Sequence, residues 1–309
     1  NAHKSTKKVR QVGFQETDIV SMAKPITKFS YQLKNEKDIR FTLEKAYYIA
    51  QSGRPGPVLI DIPMDFQRKN INPNRLKSFK SIKKKIPKKY IIRQIEKIKD
   101  LLLKSKRPTI IVGGGVRYSK TTRELLLCVK KLNIPIVTTW SGVDSISHDY
   151  KNYIGCIGVY GSRAANFTIQ NSDFILCLGS RLDTRITGGV PKNFGREAII
   201  AAVDIDKNEL NKERGLNIDI KINTNLNIFF EFFNNKIKNF KINKLEWVKK
   251  ALEWKKNYPV VLQNYRDQKK YANPYVFMEK LSNLLKNDEV VITDDGAHLT
   301  WTIQAMKIR

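Results

Sequence analysis

The stretch Thr109-Ile110-Ile111-Val112-Gly113-Gly114-Gly115 decides the fold of the middle of this chain. Its first four residues predict a buried strand, and the three glycines that follow let the backbone approach a neighbour or a ligand closely. The exposed N–H groups of such a loop suit a pyrophosphate near the start of a helix. Because the full G-x-G-x-x-G spacing is absent, a plain tight turn is an equally good interpretation of these glycines.

Strands and helices alternate along the residues that follow and precede this stretch. The pattern predicts strands at 135–139, 174–178 and 199–203, and helices at 91–103, 121–132 and 167–172. This alternation indicates a doubly wound parallel sheet, in which a ligand lies across the carboxyl ends of the strands. The predicted fold class is therefore α/β, with a doubly wound parallel-sheet central domain at residues 91–224.

Both ends of the chain read as parts of further α/β units. A helix predicted at 38–50 leads through a Gly-Arg-Pro-Gly-Pro turn into an apolar strand at 58–62, of the kind that is covered on both faces. Near the other end a helix, a strand and a second helix are predicted at 275–285, 289–293 and 299–306. The predicted segments are thus 1–70, a basic solvated linker at 71–90, the central domain, a polar helical connector at 225–272, and a last unit at 273–309.

Composition excludes several classes of protein. The net charge of +28 could attract nucleic acid, but the lysines are scattered along the whole chain and no signature of a DNA- or RNA-binding motif occurs. No apolar run approaches the ~20 residues that span a bilayer. We therefore expect no specific nucleic-acid partner and no membrane association. Cys128, Cys156 and Cys177 are widely spaced in apolar surroundings, which predicts reduced core thiols and a cytoplasmic location.

Three predicted strand ends carry residues that suit a nucleotide. A second glycine-rich loop lies at 155–161, two arginines that could bind phosphates bidentately follow the strand at 174–178, and two aspartates that could accept from a ribose or adenine follow the strand at 199–203. Pairing of these charges at the surface is the competing interpretation. The candidate cofactor-binding residues here are Gly113, Gly114, Gly115, Gly158, Gly161, Arg181, Arg185, Asp204 and Asp206.

A further candidate lies beside the predicted strand near the end of the chain. His298, close to Gly296, could donate to a phosphate or assist a proton transfer, although a lone histidine is more often a hydrogen-bonding neighbour. Asp294 and Asp295 are predicted to cap the following helix, because no third oxygen ligand for a metal lies nearby. We predict no metal-ligating residues in this chain.

Taken together, these motifs resemble the large catalytic subunit of acetolactate synthase. That subunit is one of the thiamine-diphosphate-dependent enzymes built from a pyrimidine-binding, a central and a diphosphate-binding domain. The resemblance implies that residues 1–70 are the C-terminal part of the first domain and 273–309 the start of the third. It spans the whole chain and is carried by residues 14–20, 27–28, 52–63, 113–115, 158–161, 179–188 and 203–206.

The resemblance implies a chemistry and a set of site residues. It implies a transferase of branched-chain amino acid biosynthesis that uses thiamine diphosphate and Mg²⁺ to join 2-oxo acids such as pyruvate with decarboxylation, as a homodimer or tetramer. The candidate catalytic residues are Phe14 and Gln15, which match positions lining the active site across the dimer interface, and Lys28, which matches a position near the substrate channel. Gly296 and His298 match the segment that touches the cofactor diphosphate. The glycine loops, arginines and aspartates match the surface that holds flavin adenine dinucleotide (FAD).

The chain also departs from the family pattern. The family's catalytic glutamate and its Gly-Asp-Gly magnesium motif fall outside these residues, so we expect a fragment that lacks both ends and is inactive by itself. Tyr160 stands where a histidine is typical, Thr184 replaces an aspartate, and Ala297 and Leu299 replace glutamines. These differences predict a divergent substrate or flavin requirement. The alternatives are a related 2-oxo acid decarboxylase or C–C lyase, a non-catalytic nucleotide-binding module and a polyanion-binding protein.

Overall fold

The computed structural model describes residues 17–81 and 87–309, which belong to two compact units separated after residue 86. The elements of the first unit are α1 Ile19–Ala23, β1 Phe29–Gln32, α2 Ile39–Gln51, β2 Val58–Asp61 and α3 Met64–Gln67. Strands β1 and β2 are parallel and paired with Phe29 opposite Val58, and helix α2 forms the connection between them. The predicted helix and strand are confirmed, whereas β1 was not predicted.

One expectation for this first unit needs correction. The residues of β2 are only half-buried, so within residues 17–81 this strand is not covered on both faces. Residues 71–81 of the predicted linker are mostly exposed, but Phe79 contacts the α/β unit. The Phe79 amide donates to Glu44 Oε2 at 2.7 Å, and the Phe79 ring packs edge-on against Phe41 of α2, with ring centres 5.6 Å apart. Residue 79 is therefore held on the α/β unit by a hydrogen bond and by ring packing.

The second unit is built on one parallel sheet. Its described strands are β3 Pro108–Val112, β4 Ile136–Thr138, β5 Tyr153–Cys156, β6 Phe174–Leu178, β7 Ile199–Asp204 and β8 Ile220–Asn223. They lie in the order β5-β4-β3-β6-β7-β8, and every neighbouring pair is parallel. This order confirms the doubly wound α/β prediction.

Helices cover both faces of this sheet. The helices of this unit are α4 Lys88–Lys104, α5 Gly115–Tyr118, α6 Thr122–Leu132, α7 Arg163–Gln170, α8 Thr184–Thr187, α9 Lys207–Asn211, α10 Leu226–Lys236, α11 Leu245–Asn257, α12 Gln263–Arg266, α13 Pro274–Leu284 and α14 Ala297–Ala305. Alternate strand residues enter two separate apolar clusters: Ile110 and Leu176 face α4, α6 and α10, while Ile111 and Cys177 face α7 and α11. Continuous apolar runs are therefore required in the central strands.

The region after the sheet differs from the expectation in two places. Helix α10 lies in the predicted polar connector, yet Phe229, Phe230 and Phe233 are fully buried in the core beneath the sheet. The strand predicted at 289–293 is wrong, because these residues pair with no other described strand and form no ladder. Val290 and Ile292 are consequently 84% and 90% exposed.

Neither described range contains a helix that combines the length and apolar composition needed to span a bilayer.

Candidate functional site

In the large sheet, successive strands are first added on one side of β3 and then on the other side. From β3 the chain moves outward through β4 to β5, and then returns to β6 on the other side of β3. Val112 and Leu178, the last residues of β3 and β6, lie opposite each other. The loops that follow them are therefore adjacent at the carboxyl edge, the position at which open α/β sheets bind ligands.

The triple glycine lets the loops at this edge pack directly against each other. The Gly113 and Gly115 amides donate to the carbonyls of Leu178 and Gly179, each at 2.9 Å. A Cβ atom on Gly113 would lie only 2.2 Å from the Gly179 carbonyl oxygen, and one on Gly114 would lie 2.8 Å from the Ser141 carbonyl oxygen. Close backbone packing thus accounts for these glycines, and their predicted contact with a phosphate stays a prediction.

The second glycine loop is fastened to the loop after β6. Gly158 exchanges two hydrogen bonds with the Asn166 side chain, at 3.0 and 2.9 Å, and the Val159 amide donates to the Arg185 carbonyl at 2.8 Å. Gly158 has φ +114°, and its Cβ would lie 2.4 Å from that same carbonyl oxygen. A Cβ on Gly161 would lie 2.6 Å from the preceding backbone. The loop is shorter than predicted, because its first two residues belong to β5.

An aromatic pair with an arginine lies between these loops. The rings of Trp140 and Tyr160 are 5.4 Å apart, and the Arg185 guanidinium carbon lies 5.6 Å from the Trp140 ring centre. Such stacking orders a guanidinium without using all of its N–H donors. The Trp140 Nε1 is buried and has no hydrogen-bond partner among the described residues. Sequence reasoning missed Trp140, although its place just after β4 at the carboxyl edge was a usable signal.

Arg181 is held in an ion-pair cluster. Its Nε lies 2.7 Å from Glu209 Oε1, and the Lys212 ammonium lies 2.8 Å from Glu209 Oε2. Partial burial alone would raise the pKa of Glu209, but hydrogen bonds and charge from the lysine and arginine outweigh it and lower that pKa. Glu209 and Lys212 were not predicted, because their sequence positions in α9 and just beyond it do not reveal which loop they reach.

The two aspartates at the end of β7 shape the local backbone. Asp204 Oδ1 accepts from the Asp206 amide at 2.8 Å, and Asp206 Oδ1 accepts from the Asn208 amide at 2.9 Å, so that Asp206 caps α9. A carboxylate can accept several hydrogen bonds, so these contacts are compatible with a ribose partner. The predicted ribose or adenine contacts stay predictions.

Lys28 lies in the first unit and contacts backbone oxygens. Its ammonium donates to the carbonyls of Ile49 and Ser52 at the end of α2, and to that of Arg54 at 2.9 Å. Lys28 therefore organises the Gly-Arg-Pro-Gly-Pro turn, while its predicted place near a substrate channel stays a prediction. Phe14 and Gln15 lie outside the described residues.

Gly296 and His298 lie at the start of α14. Gly296 has φ +141°, and its Cβ would approach the His298 ring to 3.1 Å, so the ring folds back over the glycine. The predicted capping of this helix by an aspartate is wrong: the capping position is Gly296, and Asp294 Oδ1 instead accepts from the Asp295 amide at 2.7 Å. The contact of Gly296 and His298 with a diphosphate stays a prediction.

Among the residues that the structure describes, the remaining titratable and metal-ligating groups define no further centre. The three cysteines are free and buried, as predicted, and desolvation raises the pKa of Cys156 and of Cys177 to about 12. Buried thiols of this kind are inert. Across residues 17–81 and 87–309, no group of three or more His, Cys, Asp or Glu side chains is placed to hold a metal ion.

Comparison with known proteins identifies the class of this sheet and its edge. Residues 95–230 match the family model "Thiamine pyrophosphate enzyme, central domain". The large sheet and its carboxyl edge lie within this matched segment and are therefore similar to the central domain of the thiamine pyrophosphate enzymes.

Along nearly its whole length, the chain is similar to acetolactate synthase large subunits. It is 33% identical to the acetolactate synthase large subunit of Cyanidium caldarium over 305 residues, which cover 96% of this chain and 51% of that protein. It is 31% identical to the large subunit of Lactococcus lactis (94% and 49%), and 31% identical to a probable large subunit of Methanococcus aeolicus (98% and 52%). The chain therefore spans about half the length of the curated relatives it matches.

Proposed function

We propose that this chain acts in a thiamine-diphosphate-dependent carboligation of the acetolactate synthase type. In this reaction one 2-oxo acid, pyruvate, loses carbon dioxide and its remaining two-carbon unit is joined to a second 2-oxo acid. The observation that carries the proposal is the homology to acetolactate synthase large subunits over 94–98% of the chain. We propose a homodimer or tetramer as the active form, a role in branched-chain amino acid synthesis, and a reducing cytoplasm as the location, which suits the three free thiols.

Thiamine diphosphate, when bound, supplies an electron sink beside the carbonyl carbon whose bond breaks or forms. Gly296 and His298 are the described residues proposed to lie against its diphosphate, to which Mg²⁺ would also bind. The fit is supported by the backbone of Gly296, which has no Cβ to block close approach, and by the half-buried imidazole folded beside it. An imidazole in that position can donate an N–H bond to a phosphate oxygen.

The carboxyl edge of the sheet is proposed to hold FAD. Two arginines from the loop after β6 lie at the switch point, and the buried Trp140 Nε1 lacks a partner among the described residues. A Cβ on Gly188, which follows these arginines with φ +84°, would meet no atom within 4 Å, so the backbone there faces open space. These features fit a dinucleotide whose phosphates meet the arginines.

The proposal is tested on the natural protein that contains this chain, by supplying it with pyruvate, thiamine diphosphate, Mg²⁺ and FAD and identifying the product. Acetolactate is the expected product. Acetaldehyde without acetolactate would support the decarboxylase alternative instead. Binding of FAD without any consumption of pyruvate would support the second candidate function, a nucleotide-binding module. The observation that favours this candidate is that all six strands of the large sheet, with the loops at their carboxyl ends, lie within the described residues.

A further inference from the structure

The loop that carries Arg181 has a constrained backbone. Gly179 has φ +63° and Leu182 has φ +46°, a left-handed conformation that leucine adopts rarely and at a cost. The Leu182 side chain is only 2% exposed and packs into the core on the α7 face of the sheet. The neighbouring residue, Arg181, is by contrast 48% exposed along its side chain. The loop therefore buries Leu182 and leaves the residue before it, Arg181, exposed.

The Glu209 carboxylate and the Lys212 ammonium, which follow the neighbouring strand β7, hold Arg181 in this position. Glu209 Oε1 lies 2.7 Å from Arg181 Nε, and Glu209 Oε2 lies 2.8 Å from the Lys212 ammonium. The same ammonium also donates to the Arg181 carbonyl oxygen. The side chains of Glu209 and Lys212 are only 11% and 14% exposed, so these charge-assisted bonds are shielded from water. The arginine is thus held both by its guanidinium and by its backbone.

We propose that Glu209 and Lys212 are positioning residues that aim the Arg181 guanidinium at a phosphate of the dinucleotide bound at the carboxyl edge. This inference rests on the proposed FAD site. With Nε engaged by Glu209, the terminal edge of the guanidinium retains the two-nitrogen fork that binds a phosphate bidentately. A pre-ordered arginine loses less side-chain freedom on binding than an unrestrained one.

An electrostatic role and a positioning role of Glu209 predict opposite changes in the affinity for FAD when its charge is removed. A carboxylate near a phosphate site repels the ligand, so charge alone predicts tighter binding of FAD by Glu209→Gln. Positioning predicts weaker binding by about tenfold, the equivalent of one charge-assisted hydrogen bond. Glu213→Gln is the matched control, because Glu213 is exposed, lies four residues away and loses the same charge. It should bind FAD as the unmodified protein does, or slightly more tightly.

The experiment combines FAD titration, followed by flavin fluorescence, with an assay that needs no ligand. In ¹⁵N NMR spectra the Arg181 Nε–H signal, assigned by its loss in Arg181→Lys, should exchange slowly in the unmodified protein and in Glu213→Gln, but rapidly in Glu209→Gln. Lys212→Met should also weaken FAD binding, and Glu209→Asp should restore part of it. Melting temperatures near that of the unmodified protein would show that each variant folds.

The outcomes separate the two proposals. If Glu209→Gln binds FAD as tightly as the unmodified protein or more tightly, positioning is overturned while the FAD site stands. Unchanged exchange of the Arg181 Nε–H in Glu209→Gln also overturns positioning. If the unmodified protein binds neither FAD nor ADP, the proposed FAD site itself fails and the assignment of Arg181 to a phosphate fails with it.

Discussion

Replacing Lys28 with methionine should loosen the first unit without changing its packing. Methionine retains an unbranched stem of similar length but removes the ammonium that donates to three carbonyl oxygens at the end of α2 and in the following turn. These carbonyls include groups that a helix end leaves without intrahelical partners, and the helix dipole favours a cation there. The stem also lies close to the turn, since a Cβ on Gly56 would come within 3.0 Å of Lys28 Cδ.

The size of the effect follows from the exposure of the site. Hydrogen bonds to a charged group contribute about 1.5–3 kcal/mol each when shielded from water. Lys28 is exposed, so water replaces much of that contribution, and we expect a total loss of about 1–2 kcal/mol in the free energy of local unfolding. This corresponds to a roughly 5- to 30-fold increase in the fraction opened.

Hydrogen exchange of the full chain, read at the amides of β1, β2 and the turn, measures this quantity directly. Lys34→Met is the control, because Lys34 is an exposed lysine shortly after β1. We expect faster exchange in Lys28→Met and none of that change in Lys34→Met. If exchange in Lys28→Met is unchanged, while the same change in the natural protein that contains this chain raises the KM for pyruvate, Lys28 serves the substrate and the capping argument is refuted.

Three further changes test the second unit. Burial lowers the pKa of His148 to about 4. Because the pKa of a histidine in an unfolded chain is ~6.5, the free energy of unfolding should fall by up to about 3 kcal/mol as the pH drops from 7 to 4. In His148→Gln that pH dependence, followed by urea unfolding, should flatten, and an unchanged slope would contradict the assignment. Gly113→Ala would place a Cβ 2.2 Å from a carbonyl oxygen and should cost about 3 kcal/mol or prevent folding, whereas Gly189→Ala, with no atom within 4 Å, should cost less than about 1 kcal/mol in thermal unfolding. Phe230→Ala should cost about 3–5 kcal/mol in the same assay and Phe232→Ala, a partly buried neighbour, clearly less; equal losses would argue against α10 as a core helix.

The central strands of the sheet were predictable because their signals are local. Strands β3, β6 and β7 are continuous apolar runs with helices on both faces, and each was predicted to within one residue of its observed bounds. The shorter strands Tyr153–Cys156 and Ile220–Asn223 were missed. They lie at the two edges of the sheet and contain Gly155 and Lys221, which weaken the strand signal. Their conformation depends on pairing with a neighbouring strand, which no short window of sequence contains.

The wrongly predicted strand at 289–293 has the same cause as the missed strands, namely the dependence of a strand on a pairing partner. Residues 289–293 have the composition of a strand, yet they form none, since no described strand pairs with them. A strand is stabilised by its ladder and by cross-strand contacts, not by its own propensity. Composition therefore indicates where a strand can form, and the neighbouring chain determines whether it does.

The candidate site was predictable in position but not in its internal contacts. The rule that ligands meet the carboxyl ends of parallel strands correctly brought the glycine loops, Arg181 and Asp204 to one edge. It could not show that Asn166 holds a glycine loop, or that Glu209 reaches Arg181 from 28 residues away in sequence. Such pairings depend on the order of strands in the sheet, which brings together loops that are distant along the chain.

The glycines and the charges at this edge consequently have different physical roles. The amides of Gly113 and Gly115 donate to carbonyls of the adjacent strand end, so the triple glycine is required for loop packing whether or not a nucleotide is bound. In the proposed FAD site, recognition of a phosphate would instead fall to the arginines, one stacked on Trp140 and the other held by Glu209. A substitution in the glycines should therefore reduce folding stability before it reduces affinity. A substitution at Glu209 should change affinity in a protein that remains folded, and this difference distinguishes the scaffold of the site from its binding groups.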